Sequence, residues 1–105
     1  MSLSFAAAPD DAAPPRPALH FTPPLHWAND PNGLLRIGNR WRLWFQYAAD
    51  APDYRRVQWG TASSPDLLHW RFDGVALAPE PGTDAYSGSV LDVATAGGPQ
   101  LHAFY

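Results

Sequence analysis

The sequence predicts an all-β protein, on three observations. Short runs of aromatic and β-branched residues alternate in polarity with a period of two, as strands do. Clusters of Gly, Pro, Asn and Asp separate these runs at positions that suit tight turns. The aromatic share is 13%, with five Trp among 105 residues, and in an acidic chain such residues favour a β-rich core or a surface that stacks on ligand rings.

Four strands are expected close together, and two more after a longer loop. Gly38-Asn39 predicts a hairpin between the first two strands, because both residue types tolerate positive φ. The spacing is that of a β-sheet repeat, although no repeated sequence identifies the architecture. The predicted strands are residues 34–37, 40–47, 57–63, 70–78 (interrupted at Asp73-Gly74), about 86–93 and 101–105.

Strand 40–47 has two unlike faces. One comprises Trp41, Leu43, Phe45 and Tyr47, and the other comprises Arg40, Arg42, Trp44 and Gln46. Gln46 is a polar residue in the most apolar part of this strand, so its amide is expected either to face solvent or to serve a site. Gly60 in the next strand predicts a close backbone approach or a bulge.

The stretch Asp30-Pro31-Asn32-Gly33 predicts a type I turn, with Asp at the first position, Pro at the second and Gly at the fourth. Two interpretations are open from the residues alone. Asp30 either begins the turn for structural reasons only, or is a carboxylate held at a rigid tip and aimed into a cleft.

Composition excludes several classes of function. A net charge of −3 and a pI near 5.6 argue against nucleic acid or an anionic membrane as partner, and no stretch approaches the roughly 20 apolar residues of a membrane helix. With no cysteine, disulfides and cysteine-ligated metal are excluded. The four histidines lack the helical spacing of zinc hydrolases, so we predict no metal site; they are His20, His26, His69 and His102.

Residues 1–18 are rich in Ala and Pro and lack periodicity, so we predict a disordered tail, followed over 19–105 by an ordered β-rich region that the resemblance described below identifies as the truncated N-terminal part of a domain. The apolar stretch 5–8 is too short for a secretory signal and is followed at once by Asp10 and Asp11. A cytoplasmic location is therefore expected.

Glycoside hydrolysis requires two carboxyl groups, and Asp30 is a plausible first member. The sequence does not identify which other carboxylate would face it. The alternatives are Asp50, Asp53, Asp66, Asp73, Glu80, Asp84 and Asp92.

Six motifs in one order resemble the N-terminal region of glycoside hydrolase family 32, the invertases, inulinases, levanases and related fructan enzymes. The resemblance runs from about His20 to the end of the chain, and the Asn-Asp-Pro-Asn-Gly element is its most distinctive part. The motifs are His20-Phe21-Thr22-Pro23-Pro24, Trp27-Ala28-Asn29-Asp30-Pro31-Asn32-Gly33, Phe45-Gln46-Tyr47, Trp59-Gly60-Thr61-Ala62, Asp66-Leu67-Leu68-His69-Trp70 and Tyr86-Ser87-Gly88-Ser89.

This resemblance implies the first blade, and the start of the second, of an incomplete five-bladed β-propeller. It also implies cleavage of β-fructofuranosyl linkages with retention, no cofactor, and fructosides such as sucrose, inulin, levan or fructo-oligosaccharides as partners. Asp30 would be the nucleophile. The implied substrate contacts are Asn29, Gln46, Tyr86, Ser87, Trp27 in the pocket wall, and Tyr54, which stands where the family commonly has a Trp. The Asp66-Leu67-Leu68-His69-Trp70 segment is instead expected to pack within the blade.

The family's other two carboxylates lie in Arg-Asp-Pro and Glu-Cys motifs that this sequence does not contain. We therefore predict that these residues are a fragment of a longer enzyme and are inactive alone. The alternatives are a non-catalytic carbohydrate-binding β-propeller protein and a purely structural β-domain. The sequence does not distinguish a hydrolase from a fructosyltransferase, and it leaves the oligomeric state open.

Overall fold

The computed structural model describes residues 16–50 and 56–105, and within them the protein forms antiparallel strands in two sheets. The first sheet has four strands in the order β1-β2-β3-β4, and the second pairs β5 with β6. The all-β prediction is confirmed. The strands are β1 (Trp27–Ile37), β2 (Arg40–Ala48), β3 (Gln58–Ser64), β4 (Arg71–Leu77), β5 (Ser89–Thr95) and β6 (Gly98–Phe104).

Strands β1 and β2 are joined by the predicted hairpin. Ile37 pairs with Arg40, so the loop consists of Gly38 and Asn39. Gly38 has a φ of 61°, in the left-handed region that glycine enters at little cost. Two-residue hairpin loops require such a conformation, because it matches the twist of the flanking strands.

The predicted turn at Asp30–Gly33 is wrong: these residues lie inside β1. Register shifts interrupt the pairing between Ala28 and Pro31 and again between Pro31 and Gly33. Strand β1 is an edge of its sheet, and edges and bulges are where a strand accepts Pro, which has no N–H to donate to a neighbouring strand. The residues that suggested a turn therefore bend a strand.

The first sheet is covered on both faces. On one face Trp44 and Trp59 pack with Ala85 and Val90, and on the other Phe45 and Tyr47 pack with neighbours that include Phe21, Ala62, Trp70 and Phe72. The predicted alternation along β2 is confirmed. The face of β2 that carries Arg40, Arg42, Trp44 and Gln46 is nevertheless buried toward the C-terminal end of the strand, because Trp44 and Gln46 are each only 6% exposed. The packing of Trp70 and Phe21, with ring centroids 6.2 Å apart, agrees with a packing role for the segment that ends at Trp70.

Gly60 shows the predicted close approach. A Cβ at this position would lie 2.7 Å from ring carbons of Phe45, and the pairing of β3 with β4 shifts register between Trp59 and Gly60. Glycine thus lets the aromatic ring of the neighbouring strand lie directly on the backbone.

The second sheet begins and ends at other residues than predicted. Strand β5 starts at Ser89, so Tyr86, Ser87 and Gly88 form a segment that precedes it, and β6 already begins at Gly98. The sheets meet through β1 and β5, where a Cβ on Gly33 would lie 3.2 Å from Val90. Within the described residues, no helix is long and apolar enough to cross a membrane. Most of the predicted tail lies outside these residues.

Candidate functional site

The segment 84–88 is attached to the beginning of β3. Asp84 Oδ1 accepts a hydrogen bond from the backbone N–H of Val57 at 2.8 Å, and the N–H of Ala85 donates to the Val57 carbonyl at 2.8 Å. The indole N–H of Trp59 donates to the Tyr86 carbonyl, also at 2.8 Å. These bonds place the following residue, Ser87, beside β1 and β2.

Ser87 joins Asp30 to Gln46. Its Oγ lies 2.5 Å from Asp30 Oδ2 and 3.0 Å from Gln46 Nε2. The Gln46 amide nitrogen can only donate, so the Ser87 oxygen accepts from it and the Ser87 hydroxyl hydrogen is directed to Asp30. One oxygen of the Asp30 carboxylate therefore has a fixed donor, whereas the other, Oδ1, has no hydrogen-bond partner among the described residues.

Burial differs along this chain of hydrogen bonds. Gln46 is only 6% exposed, whereas Asp30 is exposed. The sequence left open whether Gln46 faces solvent or serves a site, and its buried amide, bonded to Ser87, favours the second. An exposed carboxylate is thus held, through Ser87, by a buried amide.

Three other predicted site residues, Trp27, Asn29 and Tyr86, occupy the same end of the sheet. Trp27 and Asn29 belong to β1, with Trp27 half-buried opposite Ala48 and Asn29 exposed. Tyr86 is 64% exposed, and its hydroxyl lies 3.4 Å from Asp84 Oδ2. Tyr54 lies outside the described residues.

Asn32 belongs to this cluster and was missed as a site residue. Its side chain is 2% exposed, and its Oδ1 accepts from the Gly88 N–H at 3.4 Å. Among the residues that the structure describes, its Nδ2 has no hydrogen-bond partner. The available signal was a second amide residue within the distinctive motif, but the prediction of a turn over Asp30–Gly33 gave no reason to expect that its side chain is buried.

Gly88 is required for space. A Cβ there would overlap the carbonyl oxygen of Phe104 in β6 and would lie 3.0 Å from the Trp59 ring. Its φ is outside the positive range, so the conformation alone would allow other residues. The absence of a side chain is what lets the segment pass between β1, β3 and β6.

Asp66, a carboxyl group whose pKa is shifted, lies away from this cluster, beyond the other end of β3. The backbone N–H of His69 donates to Asp66 Oδ1 at 2.8 Å, and the His69 ring nitrogen Nδ1 lies 2.7 Å from Oδ2. These bonds, with that from the Leu68 N–H, hold the pKa of Asp66 well below its usual range. This carboxylate organises a turn.

No group of three or more metal-ligating side chains converges within residues 16–50 and 56–105. The site so far described is a carboxylate, a hydroxyl and an amide in series. Such a set can supply an oriented nucleophile and polar contacts to a hydroxyl-rich ligand.

Residues 20–105 match the family model of the glycosyl hydrolases family 32 N-terminal domain. The chain is 37% identical over 79 residues to a sucrose-6-phosphate hydrolase of Escherichia coli, covering 72% of this chain and 17% of that protein. It is 44% identical over 80 residues to invertase 1 of Saccharomyces cerevisiae, covering 72% of this chain and 15% of that protein.

Solved structures give the same picture. A β-fructofuranosidase of Schwanniomyces occidentalis in complex with fructosyl-erythritol superposes with a TM-score of 0.69 at 40% identity, over 72% of this chain and 16% of that one. An exo-inulinase of Aspergillus awamori superposes with a TM-score of 0.67 at 35% identity, over 73% and 16%. The chain thus spans only about a sixth of the length of these proteins.

Proposed function

We propose that the complete protein hydrolyses β-fructofuranosyl linkages, with Asp30 as the nucleophile. The premise is that this chain belongs to glycosyl hydrolase family 32 and forms part of its β-propeller. The observation that carries this proposal is the hydrogen-bonded series Gln46, Ser87 and Asp30. It orients one carboxylate at an exposed position.

In the proposed reaction, Asp30 Oδ1 attacks the anomeric carbon of the fructosyl group. The bond from that carbon to the glycosidic oxygen breaks, and the leaving oxygen takes a proton from a general acid. Water then releases the sugar from the fructosyl-enzyme, and configuration is retained overall. Ser87 holds Oδ2, so the carboxylate is fixed near an attacking orientation before substrate binds.

We assign the general acid to a part of the complete protein other than these residues. Several carboxylates here have structural partners: Asp84 binds the Val57 N–H, Asp66 binds His69, and Asp73 binds Arg71. The chain also covers only 15% to 17% of the length of these two curated relatives.

Fructosides are the proposed substrates. The Schwanniomyces enzymes that superpose on this chain are complexed with fructosyl-erythritol in one structure and with fructose in another. On this chain, Asn29, Trp27 and Tyr86 lie at the same end of the sheet as Asp30 and would contact the sugar. Tyr54 keeps its proposed contact role on the resemblance alone.

The test is to assay the complete protein on sucrose, sucrose 6-phosphate, inulin and levan, with Asp30→Asn as the variant. We expect turnover of at least one fructoside and a loss of at least about 10⁴-fold in Asp30→Asn, because an amide cannot replace a carboxylate nucleophile. Fructose binding without turnover in the wild type would support the non-catalytic carbohydrate-binding alternative. The purified 105-residue chain is expected to show no turnover.

A further inference from the structure

We propose that Asn32 is a positioning residue for Asp30, acting through the Ser87-Gly88 segment; this inference rests on the function proposed above. Asn32 does not touch the reacting atoms. It lies two residues beyond Asp30 on β1 and binds the residue after Ser87.

Strand β1 holds this segment at two consecutive residues. Asp30 Oδ2 accepts from the Ser87 hydroxyl at 2.5 Å, and Asn32 Oδ1 accepts from the Gly88 N–H at 3.4 Å. A single bond would let the segment rotate about it. A second bond at the adjacent residue fixes the direction from which the Ser87 hydroxyl approaches the carboxylate.

The opposite side of the segment is closed. Gly88 lies against the Phe104 carbonyl and the Trp59 ring so closely that a Cβ has no space. Gly88 is thus packed against β6 and Trp59 on one side and bonded to Asn32 of β1 on the other. Together these contacts fix the distance between Ser87 and Asp30.

The burial of Asn32 argues against a role in stability alone. Its side chain is 2% exposed, and its Nδ2 is unpartnered within the described part of the chain. Burying an unpartnered amide nitrogen costs folding free energy, so an apolar residue would serve folding better. What only a side-chain acceptor supplies at this position is the bond to Gly88.

The experiment is a double-mutant cycle in the complete protein, measured as kcat and KM on the fructoside that the wild type turns over best. Asn32→Ala is expected to lower kcat by about 10- to 100-fold with little change in KM, the size of effect that a small misplacement of a reacting group produces. In a Ser87→Ala background, Asn32→Ala should lower kcat less than about twofold further, because its effect passes through Ser87. Losses that multiply independently would overturn the proposal.

Two further variants separate positioning from folding. Asn32→Leu keeps the branched shape but removes the acceptor, and should retain the melting temperature while losing kcat. Asn39→Ala changes an exposed asparagine of the hairpin loop and should leave both unchanged. If Asn32→Leu keeps wild-type kcat, Asn32 is not a positioning residue.

A crystal structure of the Asn32→Leu protein tests the inference without turnover. The separation between Ser87 Oγ and Asp30 Oδ2 is expected to lengthen beyond hydrogen-bonding distance, and an unchanged separation overturns the inference. An inactive wild type would reject the proposed function instead, so the two failures are distinguishable.

Discussion

Hydrogen bonds at the two ends of the four-stranded sheet differ in the sequence distance they span. Beyond β3, Ser64 and Asp66 bind the backbone of residues two or three positions away. At the opposite end, the hydrogen bonds that join residues 84–88 to earlier parts of the chain span 27 to 57 residues.

The two ends of the sheet therefore form at different entropic cost. A local turn forms with little loss of chain entropy, whereas a long-range contact closes a large loop first. The end beyond β3, with the Gly38-Asn39 hairpin beside it, therefore depends on local sequence. The site end depends on sheets that are already assembled, and substitutions there should change activity as well as stability.

Among the substitutions that test this difference between the two ends, Gly88→Ala at the site end is expected to have the largest effect on stability and turnover. The added Cβ overlaps the Phe104 carbonyl oxygen, so β6 or the segment must move, and the free energy of unfolding should fall by about 3 kcal/mol. Fructoside turnover should fall with it, because Ser87 moves. Gly97→Ala is the control: among the described residues its Cβ would come within 4 Å of Thr95 Oγ1 alone, at 3.8 Å, and the free energy of unfolding measured in urea should change by less than about 0.5 kcal/mol.

A smaller effect is expected from Asp84→Ala. It removes the acceptor of the Val57 N–H, and Val57 is only 1% exposed, so a buried donor is left unpaired at a cost of about 2 kcal/mol. Asp84→Asn retains an acceptor oxygen and should cost less than half as much. Equal unfolding free energies for the two variants would show that this contact does not hold the segment.

At the hairpin end, Gly38→Ala is expected to cost about 1 kcal/mol, because an L-residue is strained at a φ of 61°. Turnover per folded molecule should be unchanged. Thermal unfolding and an assay on the same preparation measure both quantities. A loss of kcat comparable to that of Gly88→Ala would contradict the division between the two ends.

The smallest effect is a pH dependence at Asp66. Its pKa is lower in the folded protein than its ordinary value of 3.8, so the ionised carboxylate stabilises the fold. That contribution is complete above about pH 4 and is lost as the pH falls below it. Asp66→Ala should therefore differ from the wild type in urea unfolding at pH 6 more than at pH 3. A difference between Asp66→Ala and the wild type that is the same at both pH values would contradict this prediction.

Part of the site was predictable from residue types. Gln46 was identified because a polar residue interrupted an aromatic strand, and its buried amide now bonds Ser87. Asp30 and Ser87 were identified by resemblance, and the structure brings them within 2.5 Å. Their assigned roles at the site remain proposals.

Asn32 was not predictable as a positioning residue. Local turn propensity placed Asp30–Gly33 in a turn, whereas pairing with β2 makes the stretch a bulged strand. Once it is a strand, Asn32 is buried and faces Gly88. Turn preferences are local energies, and the pairing of a whole strand outweighs them.

The sequence by itself determined the positions of β2, β3 and β4 to within about a residue, the Gly38-Asn39 hairpin and the alternation of faces along β2, because each follows from preferences over a few neighbouring residues. Only the tertiary structure decided that Asp30, Asn32, Gln46 and Ser87 share one end of a sheet. These residues are up to 57 positions apart, and contacts at that separation arise from how whole strands pair and how the two sheets pack, which no local pattern encodes.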